Sequence, residues 1–147
     1  MLDKNGIIKR LMKANSMAKK EIEALKWSAN AGLSDFEFHI RNYVIYKFLL
    51  DDESGVETNN LNELSALSVE KAGKLNHNEA ALLDISRHCG ATSSSMTKKV
   101  LLFMAISEDF GLDLTKYDTA NIETTDMLAK IIFDEKTGIE NAEKQTD

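Results

Sequence analysis

Proline is absent from this sequence, and cysteine occurs once, at Cys89. Without proline, no helix is kinked or stopped by a pyrrolidine ring. One cysteine cannot close an internal disulfide. The seven glycines are scattered, so no glycine-rich phosphate-binding loop is present. No stretch approaches the ~18 uninterrupted apolar residues of a membrane span. The residues Met1-Leu2-Asp3-Lys4 open no apolar run of signal-peptide length. These absences lead us to expect a cytoplasmic, soluble, all-α protein that folds without crosslink or metal.

Charge is unevenly spread. The net charge is −6, yet residues 1–30 contain seven Lys/Arg and three Asp/Glu. An acidic body argues against general nucleic-acid binding, because phosphate contacts need clustered cations. The basic segment is expected to be a solvated helix face, with RNA, an acidic partner or the acidic body as other possible contacts.

Hydrophobic spacing predicts about six helices. Residues 4–27 carry Ile8, Leu11, Ala18, Ile22 and Leu25 at steps of three and four, an amphipathic stripe. Asn15 shares it and could fix the register of a helix pair. Packing on the protein's own bundle is preferred to a homodimer through this helix, and Trp27 is expected to staple it down. Ser34-Asp35-Phe36-Glu37 reads as a capping box opening a core helix over 35–50. Further helices are expected over 60–72 and about 79–89, the latter ending at Gly90. Thr92-Ser93-Ser94-Ser95 offers capping hydroxyls to a helix running to Phe110, which Gly111 stops. A short turn follows near Tyr117–Ala120, then a last helix over about 124–134 and a polar, flexible tail at 136–147. No internal repeat is visible.

Catalytic chemistry finds little support. His88 and Cys89 are adjacent, so on a helix they point about 100° apart and form no dyad. Cys89 shares a stripe with Leu82 and Ile85 and reads as a buried thiol. His39, His77 and His88 show no metal-ligand spacing with the cysteine. Asp51-Asp52 and Glu108-Asp109 read as solvated helix ends, with Asp109 also a candidate for a partner-binding edge. No convergent titratable set is visible, and we expect a non-enzyme.

Met104-Ala105-Ile106-Ser107-Glu108-Asp109-Phe110-Gly111-Leu112-Asp113-Leu114 resembles the end of the second helix and the following loop of acyl carrier proteins. Asn121-Ile122-Glu123-Thr124-Thr125-Asp126-Met127-Leu128 resembles the start of that family's last helix. The resemblance covers about 40 residues most clearly, and extends back toward residue 35. Residues 35–50 then correspond to the family's first helix and Glu57–Leu61 to part of its long loop, while 62–92 and the basic helix 1–30 are additions. The implied organisation is an N-terminal extension at 1–30, a carrier-like helical bundle at 31–135 and a tail at 136–147.

In carriers, a serine opening the second helix bears 4′-phosphopantetheine, whose thiol holds an acyl or aminoacyl group. Here, ungapped counting back from Phe110 puts Met96 at the attachment position. Ser95 lies one residue earlier and Ser93 three earlier, and no aspartate precedes either. Lys98 and Lys99 stand where carriers show carboxylates or apolar residues. The resemblance therefore implies an acyl-carrier-related protein, of a kind that can accompany peptide maturation, docking with biosynthetic or peptide-modifying enzymes. Ser95, then Ser93, would be the cofactor-bearing residue. The alternative is a helical adaptor or dimerising interaction protein without a prosthetic group, in which Thr92–Ser95 only cap the helix.

Overall fold

The computed structural model describes residues 4–73, 95–114 and 116–145. Among the described residues five α-helices carry the fold: α1 (Lys4–Lys26), α2 (Leu33–Lys47), α3 (Leu61–Gly73), α4 (Ser95–Phe110) and α5 (Thr125–Gln145). One turn of 3-10 helix, Thr119–Asn121, precedes α5. No strand occurs among the described residues, whose fold is all-α. The helix expected over 79–89 lies outside the described residues, as do Cys89, His77, His88 and Ser93.

The apolar spacing decides what meets what. Leu11, Ala14, Ala18, Ile22 and Leu25 of α1 are buried, and α1 packs mainly on α2. The two run antiparallel: Lys47 donates to Asn15 at 3.1 Å, and His39 Nδ1 lies 2.6 Å from Glu21 Oε2. Asn15 thus fixes register within one chain. α2 is the central helix, burying Phe36, Ile40, Tyr43 and Val44 between α1 and α5. Phe36 joins three helices, with ring centroids 6.2 Å from Phe110 of α4 and 5.3 Å from Phe133 of α5.

Residues 33–73 and 95–145 repeat one helix–loop–helix plan. Each opening helix ends in a Schellman motif, where a left-handed residue lets the chain turn and bond back. After α2 that residue is Leu49 (φ 58°), and the Leu50 amide donates to the Ile45 carbonyl at 2.9 Å. After α4 it is Gly111 (φ 70°), and the Leu112 amide donates to Ser107 at 3.1 Å. The two loops then meet in an antiparallel bridge between Asn60 and Thr124. Its hydrogen bonds are reciprocal: Leu61 N–H to Glu123 at 2.7 Å and Thr125 N–H to Asn59 at 2.9 Å. The interval that takes Asn60 to Thr124 also takes the buried Leu61, Leu64, Ser65 and Ser68 to the buried Thr125, Leu128, Ala129 and Ile132. The pairing of α2 with α5 and α3 with α4 follows from this arrangement.

Three expectations need correction. Gly32, not Ser34, is the N-cap of α2; its amide donates to Asp35 Oδ2 at 2.9 Å, so a carboxylate reaches back from the third position and the helix starts earlier. Trp27 is 85% exposed and staples nothing. The end of α1 is held instead by Lys136, which donates to the Leu25 carbonyl at 2.8 Å and lies 5.5 Å from the Phe36 ring centroid. Finally, the last helix continues to Gln145 instead of fraying after 134. No proline interrupts it, and Lys136 anchors the segment where the tail was expected to begin.

Candidate functional site

The candidate site is the start of α4. Ser95 is its first residue and is exposed. Met96, at the carrier attachment position by ungapped counting, is 78% exposed. Thr97 is exposed as well, and the first turn contains no acidic side chain. The terminal N–H groups of a helix and its dipole favour an anion there.

Lys98 and Lys99 do not contribute to an outer recognition face. Lys98 is fully buried and Lys99 is 7% exposed. Burial pushes the Lys99 ammonium below its ordinary pKa, and the opposing pull of the Glu123 and Asp118 carboxylates only partly offsets this. The lysine pair that departs from the carrier pattern therefore sits inside the helix packing. Thr125, at the start of α5, is also fully buried, and its hydroxyl has no hydrogen-bond partner among the described residues.

One further turn along α4, the surface becomes apolar. Val100, Phe103, Met104, Leu112 and Leu114 line an open groove of about 670 Å³, with Glu108 and Asp113 on its edge. Met96, Val100 and Met104 are exposed along the same helix. Val100 and Met104 are apolar residues four apart on α4. Their helical spacing matches that of Leu102 and Ile106, which are buried, so periodicity alone could not separate the two stripes.

Asp51, Asp52 and Asp109 are tied into the fold. Asp109 accepts from the Tyr43 hydroxyl at 2.8 Å and ties α4 to α2, so it is not a free docking edge. Arg10 lies 2.6 Å from Asp51, and Lys71 hydrogen-bonds Asp52. Partial burial alone would raise the Asp52 pKa, but the Lys71 hydrogen bond and the charges of Lys71 and Arg10 hold it below the ordinary value. Glu135 is held low by hydrogen bonds from Lys116 and Tyr117.

Of the two candidate serines, the structure places Ser95 at the exposed opening of α4, whereas Ser93 lies outside the described residues. Among the described residues no group of three or more His, Cys, Asp or Glu could hold a metal ion, and no helix is long and apolar enough to cross a membrane. Compared with protein families, curated proteins and solved structures, the chain matches none.

Proposed function

We propose that this chain is a non-catalytic, acyl-carrier-related protein that docks with biosynthetic or peptide-modifying enzymes and presents Ser95 for 4′-phosphopantetheine. The observation that carries this reading is an exposed serine hydroxyl opening a helix whose first turn lacks any carboxylate. That donor set suits a phosphodiester, whose negative charge sits well at a helix N-terminus. The arm would tether a thioester and raise its local concentration for a docked enzyme. The succession of α4, loop, 3-10 turn and α5 agrees with the sequence resemblance, and the groove beside Met104 offers the docked enzyme an apolar footing.

The second reading is an adaptor without a prosthetic group. It is favoured by Met96, an exposed side chain with no attachable hydroxyl at the position where carriers have their serine. Intact-mass measurement after incubation with coenzyme A and a broad-specificity phosphopantetheinyl transferase separates the two. The carrier reading expects one phosphopantetheinyl addition, lost in Ser95→Ala and retained in Ser93→Ala. An unchanged mass favours the adaptor.

A further inference from the structure

We propose that the outer face of α1 docks an acidic helical segment of a partner protein. This rests on observations separate from Ser95. The apolar side of α1 is used by the bundle: Leu11, Ala14, Ala18, Ile22 and Leu25 are all buried. The exposed sides carry Lys9, Lys13 and Lys20 opposite that stripe and Lys19 and Lys26 on its flank. At 1.5 Å per residue, these cations extend over roughly 25 Å. Glu23 is the one exposed acid among the described side chains of the helix.

These lysines do nothing visible for the fold. Among the described residues, only Arg10 of the α1 lysines and arginines forms an ion pair, with Asp51 and Asp52. A face selected only for solvation gains from alternating charge signs at helical spacing. Here Lys9 and Lys13, one turn apart, repel each other instead, and Glu23, at helical spacing from Lys19, Lys20 and Lys26, forms no ion pair with them among the described residues. The remainder of the chain is strongly acidic, so the positive charge is gathered on the exposed surface of one helix.

The face also has relief. Met12, Asn15 and Ser16 line a shallow depression with Lys19, Lys20 and Glu23. A serine leaves room, and a methionine adapts to whatever enters. Cations flanking such a seam suit a partner helix with carboxylates beside small apolar residues, as flanking charges do in paired helices. A lipid surface fits less well, because an interfacial helix needs its apolar side free. A long nucleic acid would extend past α1 over the acidic body, and Arg10 is already committed to Asp51. A short acidic helix meets only the basic face.

The test uses the full-length chain and a fluorescein-labelled synthetic helix of about five turns, with glutamates flanking an Ala/Leu seam. Fluorescence anisotropy should report binding that weakens with salt. Lys13→Glu with Lys20→Glu should weaken it about tenfold or more, Glu23→Lys should strengthen it, and Lys130→Glu on α5 should change it less than about twofold. Lys19→Gln with Lys26→Gln, a neutralisation confined to exposed positions, should also weaken binding and covers the case in which the reversal disturbs folding. The proposal is overturned by equal binding of a scrambled peptide of the same composition. It is likewise overturned by tighter binding of phosphatidylglycerol vesicles or single-stranded RNA at matched salt, by unchanged affinity in the lysine variants, or by no binding of the peptide.

Discussion

The loop after α2 and the loop after α4 hold equivalent places in the fold, yet they are secured differently. The first is gripped by cations from three helices. Arg41 of α2 donates to the Asn59 side chain at 2.8 Å and the Val56 carbonyl at 2.9 Å. Arg10 of α1 and Lys71 of α3 reach Asp51, Asp52 and the Leu49 carbonyl. The second loop is tied mainly to its own closing helix, through Lys116 and Tyr117 to Glu135, and by the cap that Asp118 supplies to Ala120. No α1 or α3 side chain clamps it among the described residues, and the groove lies open beside it. One helix–loop–helix plan thus serves as a closed structural half and as an open half that bears the candidate site.

Four changes would sharpen that comparison. Phe36→Ala removes the ring on which both halves meet and should cost about 3–5 kcal/mol in chemical denaturation. Arg41→Ala frees the clamped loop and should cost about 1.5–3 kcal/mol, the range for hydrogen bonds from a charged group. Gly111→Ala tests the open half's turn. A Cβ there has open space around it, so the cost is the left-handed backbone alone, about 1 kcal/mol. Leu49, in the equivalent turn, already bears that strain.

The smallest effect is the pH dependence of the clamp. The Asp52 pKa is lower in the folded chain than its ordinary 3.8. Its stabilisation is therefore complete above that value and is lost as pH falls through the lower folded pKa. The stability difference between wild type and Asp52→Asn should be full at pH 6 and shrink below about pH 4 in acid titrations followed by circular dichroism. Glu135 in the open half behaves with the same sign, its loss beginning below its ordinary 4.5.

Much of this fold was legible because helix signals are local. The hydroxyl run before Ser95 and Gly111 after Phe110 bracketed α4 where it lies. The spacing of Leu11, Ala18 and Ile22 marked the buried side of α1. The repeat escaped detection because it survives as burial and hardly as identity. Of the paired positions, only Leu64 and Leu128 share a residue type, while Ser68 answers to Ile132. Ser68 is accommodated in the core because its hydroxyl donates to the Phe48 carbonyl at 2.7 Å, a partner no sequence pattern reveals. Of the candidate site, the sequence showed that a helix opens near Ser95. Ser95 could be named from the hydroxyl cluster, whereas the inward placement of Lys98 and Lys99 depends on tertiary packing of α4 against α3 and the turn before α5, where Glu123 and Asp118 lie near Lys99.

The most direct measurement is peptide-level mass spectrometry of the chain after incubation with coenzyme A and a phosphopantetheinyl transferase. The carrier reading predicts a single modification carried by Ser95 and absent from Ser95→Ala. A chain that remains wholly unmodified, or one modified at Ser93 with Ser95 untouched, would contradict it.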